Sequence, residues 1–246
     1  MYFCKTQAVA LKKGDYSNSS QIVAFYTRDY GKVRALAKGS KRIEKKSRGP
    51  VDLFSYMEII FIQKESTGLH LLTEWESLRD FPAFRKDVER FYAACHVVQL
   101  ACELTEEGDS NEPLFDLILE TLQRLSLTRY TEVVLRAFEL QALKLLGYLP
   151  QLEECVNCGA DFLGDPGAVF SPVGNGLLCK RCAGEKALQS LSPGAIRAAA
   201  FLASSSTTTC DRLRLPHRVS EELKSLSLGC IMLALNKPLE IRTSVK

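Results

Sequence analysis

The hydrophobic pattern changes period once, near residue 80, and that change fixes what the two parts of the chain can fold into. Before it, apolar and β-branched runs occur at 3–11, 20–28, 32–38, 54–63 and 69–76. Turn signals separate them: Lys13-Gly14-Asp15, Asp29-Tyr30-Gly31, Gly39-Ser40, Gly49-Pro50 and Ser66-Thr67-Gly68. Short runs punctuated in this way predict five strands. The segment Tyr56-Met57-Glu58-Ile59-Ile60-Phe61-Ile62 is apolar on both faces near its end, as in a central or barrel strand. Five strands in ~75 residues fit a small closed barrel. A five-stranded OB-fold is the preferred form, and an SH3-like barrel gives the same strand count.

After the change the apolar residues recur at helical spacing. Phe84, Val88, Phe91, Cys95, Val98 and Cys102 step by three and four, which predicts one amphipathic helix over 82–104. The segment Thr105-Glu106-Glu107-Gly108-Asp109-Ser110-Asn111-Glu112 reads as a solvated loop. Pro113 suits the first turn of a helix over 113–126. Thr131 is placed to cap a third helix, with Val134, Ala137, Phe138, Gln141 and Leu145 on its face and Gly147 and Pro150 to stop it. Ser192-Pro193 opens a short helix to about Ala203, and Ser220 caps a last one to about Leu235. The expected architecture is α+β: an OB-fold barrel at 1–80, a helical domain from 81–150 and 186–246, and an inserted four-cysteine zinc module at 151–185.

Four of the nine cysteines fall in that module as Cys155-x2-Cys158 and Cys179-x2-Cys182, with 20 residues between the pairs. Each pair turns tightly enough to aim two thiolates at one ion, and two such knuckles complete a tetrahedral Zn²⁺ site. A redox Cys-x-x-Cys is the competing reading, but it leaves the second pair unexplained. Four thiolates leave no open coordination position, so a zinc ion here is structural. Asp165-Pro166-Gly167 and Val173-Gly174-Asn175-Gly176 read as hairpin turns between the pairs.

The net charge of +3 conceals an asymmetry. Residues 1–50 carry 12 basic and 3 acidic side chains, and residues 51–246 carry 20 and 26. Nine of the basic residues lie between Arg28 and Arg48: Arg28, Lys32, Arg34, Lys38, Lys41, Arg42, Lys45, Lys46 and Arg48. Either they form a solvated surface or they line a path for a phosphate backbone. Eight aromatics lie within residues 16–75: Tyr16, Phe25, Tyr26, Tyr30, Phe54, Tyr56, Phe61 and Trp75. Some must fill the core, and any that face outward can stack unpaired bases. Nothing resembles a base-reading helix, so little sequence specificity is expected. His70, His96 and His217 stand in no triad, paired-histidine or phosphate-loop pattern, so no catalytic residue is assigned. No apolar run is long enough to span a bilayer, and Met1 to Gln7 lacks a signal-peptide pattern, so a soluble cytoplasmic protein is expected.

Three stretches resemble the bacterial RecO family. They are Val23-Ala24-Phe25-Tyr26-Thr27-Arg28-Asp29-Tyr30-Gly31-Lys32-Val33-Arg34-Ala35-Leu36-Ala37-Lys38-Gly39, Pro113-Leu114-Phe115-Asp116-Leu117-Ile118-Leu119-Glu120, and Phe138 to Pro150 running into Cys155-x2-Cys158-Gly159. With their order, the resemblance covers roughly residues 5–205. It implies an N-terminal OB-fold, a helical domain and an inserted zinc module. It also implies a recombination mediator of the RecF pathway that binds single- and double-stranded DNA and anneals complementary strands during repair. The implied partners are RecR, the C-terminal tail of the single-stranded-DNA-binding protein and, indirectly, RecA, in a cytoplasmic, nucleoid-associated setting. The family's DNA surface carries over onto Lys32, Arg34, Lys38, Lys41, Arg42, Lys45, Lys46 and Arg48. For the acidic, apolar tail, Arg129 and Arg136 are candidates as basic groups in an acidic region. The segment Leu228 to Ser244 departs from the family's usual C-terminus. Two other classes stay open on the sequence: a nucleic-acid-modifying enzyme with an OB anchor and a structural zinc ribbon, and a scaffold that binds only proteins.

Overall fold

A computed structural model describes residues 2–42, 49–64, 68–162, 167–171, 174–184, 190–206, 209 and 213–235. The chain divides into two compact units, residues 1–127 and 128–246.

In the first unit five strands close into a barrel: β1 (Tyr2–Ser17), β2 (Ser20–Thr27), β3 (Gly31–Ala37), β4 (Tyr56–Gln63) and β5 (His70–Arg79). Their order is β1-β2-β3-β5-β4, and β1 closes the barrel by pairing with both β2 and β4. It can do so because it is 16 residues long. Tyr2 to Val9 ladder onto β4, and Ala8 to Ser17 onto β2, with a register shift between Ala10 and Lys12 where the strand bends. All pairings are antiparallel except β3 beside β5. Alternation fills the interior with Cys4, Ala8, Ala10, Val23, Phe25, Val33, Ala35, Met57, Ile59, Phe61, Leu72 and Trp75.

Three helices complete this unit: α1 (Ala83–Lys86), α2 (Val88–Leu104) and α3 (Glu112–Leu127). The single helix expected over 82–104 is broken at Asp87. That residue is extended (φ −134°, ψ 113°), and its carboxylate accepts the Arg90 N–H, so it ends α1 and caps α2. The break also rotates the buried face. Ala93, Ala94, Val97, Val98, Leu100 and Ala101 are buried, whereas Val88 is exposed and Cys95 and Cys102 are half-buried. Small residues on that face let α2 lie close against β1 and β2. Helices α1 to α3 fall in the same compact unit as the barrel.

The second unit contains α4 (Thr131–Leu145), β6 (Ala168–Ser171), β7 (Gly176–Cys179), α5 (Lys180–Ala183), β8 (Ser190–Leu191), α6 (Pro193–Ser204) and α7 (His217–Leu235). Helices α4, α6 and α7 pack on one another, and the strands form a sheet ordered β7-β6-β8. Ser192 caps α6 by accepting the Ala195 N–H. Ser220 does not cap α7, which begins at His217; its hydroxyl donates to Glu132 instead. Gln141 donates to the carbonyls of Leu202 and Ser205 and so satisfies the end of α6. Among the described residues, no helix is long and apolar enough to cross a membrane.

Candidate nucleic-acid interface and metal centre

The metal centre is assembled from three local structures. Cys155 and Cys158 sit on a knuckle closed by the Cys155 N–H to Ala160 and the Gly159 N–H to Cys155, both 2.8 Å. Gly159 has φ +67°, the left-handed conformation such a turn requires. Cys179 ends β7, and Cys182 lies one helical turn on, in α5. Gly176 admits the knuckle to β7: a side chain there would collide with Val156, and Val156 N–H bonds to the Leu177 carbonyl at 2.9 Å.

The four sulfurs lie within 4.8 Å of one another, with Cys158 Sγ and Cys179 Sγ 3.8 Å apart. A tetrahedron with metal–sulfur bonds of about 2.3 Å has edges of about 3.8 Å, so the donor set fits one zinc-sized ion. Cys155 and Cys179 are buried, Cys182 is half-buried and Cys158 is exposed. Burial pushes the Cys155 thiol up, but the N–H groups of Cys179, Asn157 and Cys158 outweigh it and bring it down to about 6. The Cys158 sulfur accepts from Arg181 and holds that guanidinium above its ordinary range. These partners favour thiolate, the form that ligates metal, at Cys155 and Cys158, whereas at Cys182 the hydrogen bond with Asn157 is outweighed by the neighbouring sulfurs, which push the thiol up to about 11.

The basic segment divides by what each cation touches. Arg28 bridges to α3, with Nη1 2.5 Å from Glu112 and Nη2 2.5 Å from Asp116, and its guanidinium lies 4.7 Å over the Phe115 ring. Lys32 donates to the carbonyls of Cys102, at 2.7 Å, and Thr105, at the C-terminal end of α2. Both side chains are therefore engaged inside the unit. Arg34 is exposed and faces Glu107 at 3.8 Å, and Lys41 pairs with Asp15 at 2.8 Å. Lys38 and Arg42 are exposed, and their side chains make no hydrogen bond or ion pair among the described residues. Lys45, Lys46 and Arg48 lie outside the described residues.

The acidic loop after α2 sets one border of this surface. Its Gly108 N–H bonds to the Lys32 carbonyl at 3.1 Å, and a side chain on Gly31 (φ +60°) would collide with the Asp109 backbone. Glu107 thus sits beside β3, and the unpaired cations lie at the opposite end of that strand.

Most of the expected stacking aromatics are interior. Phe25, Tyr26, Phe54, Phe61 and Trp75 are buried, Tyr30 and Tyr56 are half-buried, and only Tyr16 of the eight is well exposed. Tyr2 and Phe3, which the sequence reading did not single out, are 72% and 74% exposed. Arg136 is buried and ion-paired to Glu139 at 2.8 Å, with Ser227 bonded to both, so it does not present its charge at the surface. Arg129 is exposed.

Comparison with known proteins bears on both halves. The family model described as Recombination protein O N terminal matches residues 1–81, and the one described as Recombination protein O C terminal matches residues 85–242. This chain belongs to the RecO family. Among its RecO relatives, the DNA repair protein RecO of Roseiflexus sp. is 31% identical over 90% of this chain and 77% of that protein. The RecO of Rhodopirellula baltica is 34% identical over 71% of this chain and 65% of that protein. The RecO of Dehalococcoides mccartyi is 26% identical over 95% and 91%. The C-terminal family match reaches residue 242 and so takes in most of the segment from Leu228 that differs from the family's usual ending.

Proposed function

We propose that this RecO-family chain is a DNA-repair protein that binds single- and double-stranded DNA, anneals complementary strands and acts as a recombination mediator. The observation that carries the reading is the pair of cations Lys38 and Arg42, which have no partner among the described residues, beside Arg34, which faces Glu107 at 3.8 Å, on the barrel of a chain with RecO relatives. Annealing follows if two strands share this surface, because its cations lower the repulsion between their phosphates. Arg28 and Lys32 serve the fold and not the DNA. Lys45, Lys46 and Arg48, which lie outside the described residues, are proposed to contact DNA as well.

The barrel is read as an OB-fold, supported by β1 pairing with both β2 and β4 and by β3 running parallel beside β5. In this reading residues 1–80 hold the DNA, the helices over 81–150 and 186–246 meet protein partners, and 151–185 is the zinc module. Cys155, Cys158, Cys179 and Cys182 hold one zinc ion, which supplies a structural crosslink. The chain is proposed to be a non-enzyme that works with RecR, engages the tail of the single-stranded-DNA-binding protein, and so helps to load RecA in the nucleoid. A fluorescence annealing assay on complementary strands coated with single-stranded-DNA-binding protein tests this. The purified chain should accelerate annealing without cleaving either strand. No acceleration on coated or bare strands would contradict the reading.

A further inference from the structure

In the second unit a recess of about 410 Å³ lies between the cysteine-bearing ribbon and α6. The ribbon is residues 151–162. It is held to itself by the Phe162 N–H on the Glu153 carbonyl at 3.2 Å and the Cys155 N–H on the Ala160 carbonyl at 2.8 Å. Its base is tied to β7 by the Leu177 N–H on the Gln151 carbonyl at 3.1 Å, and its tip is the Cys155–Cys158 knuckle. One face of α6 forms the other wall: Pro193, Ile196, Arg197 and Ala200 follow the i, i+3, i+4, i+7 spacing. Leu152 and Phe162 of the ribbon and Ile196 of the helix are the recessed part of the lining, each no more than 8% exposed. Close-packed interiors leave few voids larger than a water molecule, whereas ligand pockets span about 300–1,000 Å³. A recess of this size with an apolar floor is suited to holding apolar groups.

The charge around the recess selects which groups. Glu153, Glu154 and Asp161 line it from the ribbon and Arg197 from the helix, and all four are exposed. Three carboxylates against one guanidinium leave negative charge in excess. The Glu153 and Glu154 carboxylates make no hydrogen bond or ion pair among the described residues. Excess negative charge repels phosphates and acidic peptides, so neither DNA nor the acidic, apolar tail named above suits this recess. The carboxylates do not converge on one point either. Among the described residues, only the four cysteines gather closely enough to hold a metal ion. Dispersed negative charge over an apolar floor suits a chain that carries cations beside apolar side chains. Lys and Arg can also lay their apolar stems along such a floor while their charged ends reach the rim.

We propose that this recess is a docking site for a short basic, apolar segment of a partner protein. Its apolar side chains fill the space between Leu152, Phe162 and Ile196, and its Lys or Arg residues pair with Glu153, Glu154 and Asp161. The ribbon wall is built on the knuckle, so the site depends on the metal centre that holds the knuckle in place. The proposal does not rest on the nucleic-acid reading.

The test uses the full chain purified with zinc and fluorescence anisotropy of labelled synthetic peptides. The probe is two leucines followed by three lysines, with a serine at each end. One control replaces the lysines by glutamates and the other replaces the leucines by serines. The lysine peptide should bind saturably and both controls should bind much more weakly. Exposed ion pairs are individually weak, so Glu153→Gln/Glu154→Gln should weaken the lysine peptide about fivefold and flatten its salt dependence. Ala200 is half-buried on the α6 wall, and Ala200→Phe, which puts a ring into the recess, should abolish binding. The parent's unfolding midpoint should survive the glutamate changes, which remove no contact among the described residues; this variant decides the matter if the helix does not accept the ring.

No saturable binding of the lysine peptide up to about 1 mM would overturn the proposal. Equal binding of the glutamate peptide would overturn it too, because the rim would then not select charge. Equal binding of the leucine-free peptide would do the same, because the floor would then contribute nothing. If spermidine displaces the peptide while Ala200→Phe leaves peptide affinity unchanged, the acidic rim is a polyamine site and the docking proposal fails.

Discussion

Replacing Lys32 by methionine separates the cations that hold the fold from those proposed to meet DNA. Lys32 lies in the middle of the basic segment, yet its ammonium donates to the carbonyls of Cys102 and Thr105. Carbonyls in the last turn of a helix have no helical partner, and a cation there also meets the negative end of the helix dipole. Methionine keeps most of the stem and removes the charge. A hydrogen bond from a charged group contributes about 1.5–3 kcal/mol. Lys32 is only half-buried, so water recovers part of the loss, and the two bonds together should contribute about 2–3 kcal/mol. That corresponds to a fall in unfolding midpoint on the order of 5–10 °C for a unit of this size. Urea unfolding followed by circular dichroism reads the stability, and a salt titration of oligonucleotide affinity reads the phosphate contacts. Lys32→Met should lower the first and leave the salt slope of the second unchanged. Unchanged stability, with a slope shallower by about 0.7, would refute the reasoning, because that is the signature of one lost phosphate contact on a single strand.

Two further outcomes follow from the second unit. Cys158→Ser should lower zinc content below one ion per chain, measured by atomic emission, and reduce the stability of residues 128–246, because structural metal binding is coupled to folding. Full folding stability in a strong chelator would contradict that. Arg136→Met should cost about 3–5 kcal/mol, since it leaves the fully buried Glu139 carboxylate without its cation. The double variant Arg136→Met/Glu139→Leu should be less destabilised than the single one. An equal or larger loss in urea unfolding would show that the stranded Glu139 charge is not the source of the cost.

How much of this was legible in the sequence depended on how local the cause was. Four of the five strands lie close to their expected bounds because alternation and turns are set by neighbouring residues, as at Gly31, where β3 begins; β1 instead runs on to Ser17, through the turn expected at Lys13-Gly14-Asp15. The cysteine geometry was likewise written in two short spacings. The break at Asp87 was hidden by apolar residues that kept helical spacing across it, although the Asp-x-x-Arg segment held the capping side chain. The sorting of the basic residues was not readable, because the partners that decide it are distant. Arg28 is tied to residues 84 and 88 positions on, and Lys32 to one 70 positions on. Arg136 looked available for the same reason: Glu139 is near in sequence, but the burial that commits the pair comes from α7. Phe3 could have been found by extending the alternation from Cys4, the first inward residue of β1.

The central claim is that Lys38 and Arg42 neutralise nucleic-acid phosphates. The most direct measurement is the salt dependence of affinity for a single-stranded oligonucleotide, comparing the parent with Lys38→Gln/Arg42→Gln. Removing two phosphate contacts should make the slope shallower by about 1.4 and weaken binding to unrelated sequences alike. An unchanged slope with unchanged affinity would contradict the assignment.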